Sequence, residues 1–76
     1  GGSVGGVVSR GTTVLAGVVV TVDGTDAFAS TITDRSGGWL VEDLVPGTYR
    51  VRAKLPNGAA EGDVVVRGDG ARANLG

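Results

Sequence analysis

Glycine and proline interrupt this chain so often that no helix has room to form. No stretch long enough for a stable helix is free of a Gly, a Pro or a cluster of β-branched residues. Gly alone accounts for 15 of the 76 residues, about three times ordinary usage. The glycines are not scattered as in a low-complexity segment. They fall mostly between Val-rich runs, where tight turns need them. What remains between them is short and alternates with a period of two, as strands do.

Residues 48–55 (TYRVRAKL) give the cleanest alternation: Tyr49, Val51, Ala53 and Leu55 on one face, Arg50, Arg52 and Lys54 on the other. In residues 17–23, Val18, Val20 and Val22 share a face while Val19 and Thr21 share the opposite one. That second face is partly apolar, which predicts a central strand or one whose outer side is covered. Strands are expected over residues 4–9, 17–23, 27–33, 38–43, 48–55, 59–67 and 71–75. Short strands at this spacing predict an all-β fold, a seven-stranded antiparallel β-sandwich or small barrel. In the first strand Val4 and Val8 share a face with Gly6 between them, so Gly6 makes room for a bulky neighbour or a close strand approach.

The stretch 32–51 organises the rest. Asp34-Arg35-Ser36-Gly37 reads as a type I turn in which the Asp side chain bonds its own backbone two residues on. Gly37 then takes a left-handed conformation and closes a hairpin with a bulge. Pro46-Gly47 reads as a type II turn, with positive φ at Gly47. Between and after them, Trp39, Val41, Tyr49, Val51 and Ala53 alternate onto one buried face, and Leu44 tucks under the second turn. Further turns are expected at Arg10-Gly11-Thr12-Thr13, Asp23-Gly24-Thr25-Asp26, Pro56-Asn57-Gly58 and Gly68-Asp69-Gly70. The register of residues 27–33 is ambiguous. Phe28 and Ile32 share one parity, Ala29, Thr31 and Thr33 the other, so one apolar set faces outward or lies over an open edge. The expected core is Val4, Val8, Leu15, Val18, Val20, Val22, Ile32, Trp39, Val41, Leu44, Tyr49, Val51, Leu55, Val64, Val66 and Leu75.

At 76 residues this is one domain. Residues 4–76 are expected to form the module, and Gly1-Gly2-Ser3 reads as a linker end or cloning remnant. There is no Cys, His or Met. The inventory therefore excludes thiol and imidazole chemistry, zinc fingers and disulfide stapling. Seven basic against eight acidic residues leave a net charge of -1. The signs are interleaved, which argues against nucleic acid or an anionic membrane as partner. No apolar run approaches the roughly 18 residues of a spanning helix. Neither membrane insertion nor a signal peptide is expected.

Few residues offer chemistry. Trp39, Tyr49 and Phe28 supply aromatic surface for a carbohydrate, although alternation assigns Trp39 and Tyr49 to the core. Phe28, just after a turn, is the candidate for an exposed apolar contact. Asp23, Asp26 and Asp34 offer oxygen atoms to a calcium ion from neighbouring turns. No Asp-x-Asp-x-Asp-Gly loop accompanies them, and turn formation accounts for them more simply. Glu42 and Asp43 are adjacent, so on a regular strand they face opposite ways and cannot work as an acid–base pair. Arg50, Arg52 and Lys54 form a basic stripe, best explained by cross-strand ion pairs. No nucleophile–base pair can be assembled without His or a suitable Lys. No Gly-rich loop precedes a helix, so phosphate-loop readings fail. No cofactor is expected.

Four segments carry a resemblance: Gly6-x-Val8; Leu15-Ala16-Gly17-Val18-x-Val20-x-Val22; Thr33-Asp34-x-x-Gly37-x-Trp39-x-Val41; and Leu44-x-Pro46-Gly47-x-Tyr49-x-Val51. Together the chain resembles the carboxypeptidase regulatory-like domains of the prealbumin-like (transthyretin-like) sandwich group. The resemblance implies a Greek-key, Ig-like sandwich in which Gly17, Asp34, Gly37, Trp39, Leu44, Pro46, Gly47 and Tyr49 are structural. Such domains serve as accessory modules of secreted peptidases, adhesins, transporters and carbohydrate-active enzymes. An extracellular or cell-envelope location is implied on the same ground. Related pilin-type domains carry a Lys–Asn isopeptide bond, but here the only Lys is Lys54 and the first strands hold none. The expected function is therefore non-catalytic: a spacer or docking domain beside neighbouring domains of a larger protein. The alternatives are a carbohydrate-binding module using Phe28 or an exposed Trp39, and assembly with itself or a partner through an edge strand.

Overall fold

The computed structural model, which describes residues 1–76, contains strands, turns and no helix. Nine strands follow in order: β1 (Gly2–Val7), β2 (Ser9–Arg10), β3 (Thr13–Val14), β4 (Val19–Asp23), β5 (Phe28–Ile32), β6 (Gly38–Leu44), β7 (Gly47–Leu55), β8 (Gly58–Val66) and β9 (Gly70–Arg72). Every run expected from alternation overlaps one of the seven strands other than β2 and β3, with ends displaced by up to three residues. β2 and β3 are two residues each and form a small hairpin at the turn expected around Gly11. The other strands make two sheets, ordered β6-β1-β9 and β5-β4-β7-β8.

Both sheets contribute to one core. The three-stranded sheet supplies Val4, Trp39, Val41 and Leu44; the four-stranded sheet supplies Val20, Val22, Tyr49, Val51, Ala53 and Val66. Val4, Val20, Val22 and Val51 are fully enclosed. β4 runs between β5 and β7, as its two apolar faces predict. Leu15, Leu55 and Val64 are only partly buried against this core. Ile32 is a correction: it is 62% exposed. It stands directly across from Val19 in the β4–β5 ladder, and directly opposed residues share a face. Val19 points outward, so Ile32 does too.

The first central turn keeps its local chemistry but not its expected role, and the second keeps neither. Asp34 Oδ1 accepts from Ser36 N at 2.9 Å and Gly38 N at 3.0 Å. Gly37 N donates to Asp34 O at 2.9 Å, with Gly37 at φ +78°. Yet the turn closes no hairpin, because β5 and β6 belong to different sheets. It is a corner that carries the chain across the core. Pro46-Gly47 is a second corner, from β6 back to β7. Gly47 lies at φ +158°, far from the roughly +80° of a type II turn, and already pairs with Val66. The chain had already changed sheets between β1 and β4, so Gly68-Asp69 makes the fourth and last crossing, and β9 lies parallel to β1. This corrects the wholly antiparallel arrangement expected from alternation: the β1–β9 pair is parallel.

Two further features concern β1 and β6. Gly2 and Ser3 fall within β1: Gly2 is buried and pairs with Leu44, and Ser3 pairs with Gly70. In β6 the alternation breaks at Glu42-Asp43. Two steps along β1, from Gly2 to Val4, oppose three along β6, from Leu44 to Val41. Asp43 takes the left-handed conformation at φ +60°. This is a β-bulge. It leaves Glu42 and Asp43 both exposed and still turns Leu44 inward.

Thr33 anchors the entry to the first corner. It is 4% exposed. Its Oγ1 accepts from Val18 N at 2.9 Å and donates to Leu15 O at 2.6 Å. One hydroxyl thus satisfies two backbone groups ahead of β4. Thr33→Val keeps the shape and strands both groups, so it should cost about 1–3 kcal/mol. Urea unfolding measures this, and Thr33→Ser should recover most of the loss.

Candidate docking surface

The outer face of the four-stranded sheet follows from the register. Its first row reads Phe28, Asp23, Arg50, Asp63; the next Ser30, Thr21, Arg52, Glu61; the last Ile32, Val19, Lys54, Ala59. The β5 end of this grid is apolar and the β7–β8 end charged. Phe28 is 65% exposed and Ile32 62%.

The charged end is mostly internally satisfied. Arg50 Nη1 donates to Asp63 Oδ1 at 3.0 Å, and its Nε lies 3.6 Å from Glu61. The hydrogen bond to Asp63, followed by the charges of Asp63 and Glu61, raises the Arg50 pKa above its already high ordinary value. The stripe expected from sequence is thus paired across β7–β8 at Arg50. Arg52 and Lys54 make no ion pair. With Val19, Thr21, Gly58 and Ala59 they line an open hollow of about 460 Å³.

The other candidates separate. Trp39 is 6% exposed and offers no face on which a sugar could stack. Tyr49 is buried as well, its hydroxyl donating to Val45 O. Phe28 is the one aromatic at the surface. Asp23, Asp26 and Asp34 do not converge with other acids into a group able to hold a metal ion. Glu42 and Asp43, now on the same exposed bulge, have no third ligand or base beside them. What the surface does offer is a sheet edge, since β5 pairs only with β4.

Asp34 has a structural task. Three donors, Ser36 Oγ, Ser36 N and Gly38 N, converge on its Oδ1. They hold its carboxyl pKa below the ordinary aspartate value, the Ser36 hydroxyl contributing most. A depressed folded pKa stabilises above the unfolded pKa, and the benefit is lost as pH falls through the folded value. Asp34→Asn should therefore destabilise at neutral pH. The difference should shrink steadily below the ordinary aspartate range, as paired denaturant melts at neutral and strongly acidic pH would record.

No protein-family model matches this chain, and comparison with curated proteins finds no significant relative.

Proposed function

We propose that this chain is a non-catalytic β-sandwich module of the prealbumin-like kind, acting as a spacer or docking domain within a larger secreted or cell-surface protein. An all-β chain of nine strands, arranged as a three-stranded and a four-stranded sheet plus a small hairpin, supports that reading. The observation that carries the reading is the distribution of exposed groups. Of the seven large apolar residues at the surface, Phe28, Ile32 and Val19 sit together on β5 and its neighbour β4, while Val14, Leu40, Val45 and Val65 lie elsewhere. A fold whose accessible chemistry is an apolar sheet margin is suited to contact with another polypeptide.

A carbohydrate-binding module is the second reading, favoured by one fact, the exposure of Phe28. A glycan array probed with the intact chain separates the two. The docking reading expects no glycan above background. A glycan that is bound by the parent and released by Phe28→Ala would replace it with the carbohydrate reading.

A further inference from the structure

The two larger sheets leave four strands with one open side: β6, β9, β5 and β8. Open edges recruit stray strands, and folded proteins blunt them with charge, proline, bulges or brevity. β6 carries the Glu42-Asp43 bulge. β9 has three residues and includes Arg72. β8 carries Glu61 and Asp63, plus Gly62. β5 has none of these devices. Its five residues, Phe-Ala-Ser-Thr-Ile, hold no charge, Pro or Gly, and pair with β4 without a break in register.

Backbone geometry shows which groups are free. Thr33 N donates to Val18 O, and Thr33 O accepts from Gly17 N, both at 2.9 Å. Backbone direction alternates along an antiparallel strand. Thr31 and Ala29 therefore also face β4, and Phe28, Ser30 and Ile32 aim their N–H and C=O groups away from the sheet. The residues with outward backbone groups thus include the two with large exposed apolar side chains.

Charge selects the occupant. Asp26 lies two residues before β5 and Asp34 two residues after it. A second copy pairing antiparallel about Ser30 would set Asp26 of each chain against Asp34 of the other. A parallel in-register copy would oppose Asp26 to Asp26. Like charges at both ends disfavour self-pairing, and the same acids attract cations. We infer that the β5 edge receives an extended segment of a partner protein, apolar at alternate positions and flanked by Lys or Arg, as an added strand. This inference rests on the docking reading and names its contact.

The probe is the synthetic peptide KKVTVTVKK, with EEVTVTVEE as control, followed by amide hydrogen exchange on the whole chain. The basic peptide should slow exchange at Phe28, Ser30 and Ile32 by about tenfold or more, and the acidic one should bind at least about tenfold more weakly. Ser30→Pro removes only an outward N–H, which an edge strand tolerates; it should abolish binding while leaving the far-UV spectrum unchanged. If that variant unfolds, Ile32→Lys supplies the test, since it adds a cation to an exposed site and should weaken the basic peptide. Failure of the basic peptide to bind, protection at β6 or β8 instead, or equal binding of the acidic control overturns the inference. So does concentration-dependent self-association of the unliganded chain that Ser30→Pro removes, which would make a second copy the occupant. Any of these leaves the spacer-or-docking reading intact, because that falls only with the glycan result.

Discussion

Trp39→Ala should lower the stability of the fold by about 3–5 kcal/mol. A chain of 76 residues has a total stability of roughly 4–11 kcal/mol, so the variant stands at the edge of unfolding at room temperature. Trp39 sits on the inner side of β6 opposite Gly6, packed into the cluster that also holds Val4, Val8 and Val41. No residue of comparable size shares its sheet's side of the core, and the strands cannot collapse onto the void without giving up their ladder. The indole adds a complication of its own: Nε1 is buried with no hydrogen-bond partner. Burying an unpaired donor works against the burial of the ring. Trp39→Phe removes that donor and keeps much of the volume, so it should cost well under half as much as the alanine variant. Urea unfolding followed by far-UV circular dichroism resolves both. A loss below about 1 kcal/mol for Trp39→Ala, the size of an average substitution, would mean that the ring is not packed.

The burial of Trp39 was legible from alternation alone, since Trp39 and Val41 keep the parity that Tyr49, Val51 and Ala53 keep in the partner sheet. The same rule misled at Ile32. Parity says which residues share a face, and only the neighbouring ladder says which face is covered. Phe28 and Ile32 turn outward because Asp23 and Val19, their partners on β4, do. Turn chemistry was equally readable and equally partial. Asp34 and Gly37 adopt the geometry their types favour, but local geometry does not state whether the next strand returns to the same sheet. That choice depends on how four crossings fit around one core, and the parallel placement of β9 follows from it. The bulge left only a faint trace: two consecutive acids before an inward Leu44, with an Asp where left-handed backbone most often asks for Gly.

The candidate docking edge was visible only in part. That residues 28–32 lack charge is plain in the sequence, and so is the Asp on either side. Whether such a segment is central or marginal is a property of strand order, which arises from contacts far apart in the chain. The pairing of Arg50 is similar. Its acids Glu61 and Asp63 are evident, but the two-residue loop at Pro56-Asn57, with Leu55 paired to Gly58, sets the register that brings them together.

Gly6→Ala should be as damaging as the loss of the tryptophan, by the opposite mechanism. A Cβ on Gly6 would lie 1.9 Å from Ala73 O and 2.6 Å from Ala73 C. Both are backbone atoms, so no rotamer change relieves the overlap; the segment after β9 must move away. That segment is held by Ala73 N donating to Gly5 O and Leu75 N donating to Val7 O, each at 2.9 Å, and by Val7 N donating to Asn74 Oδ1 at 3.0 Å. Displacing it breaks these bonds and uncovers Leu75, a core residue at 6% exposure. The cost should reach or exceed the upper end of the roughly 1–3 kcal/mol of ordinary overpacking. Gly62→Ala is the matched control. It lies in β8 with nothing within 4 Å of the added carbon and no positive φ. There the methyl only restricts the unfolded chain, which should be neutral or stabilise by up to about 1 kcal/mol. Denaturant midpoints moving in opposite directions for the two variants would locate the cost in the approach of the β9 segment to β1. Equal losses at both sites would instead mean that the penalty comes from adding a side chain to any strand of this fold, and that the contact at Ala73 is not a tight one.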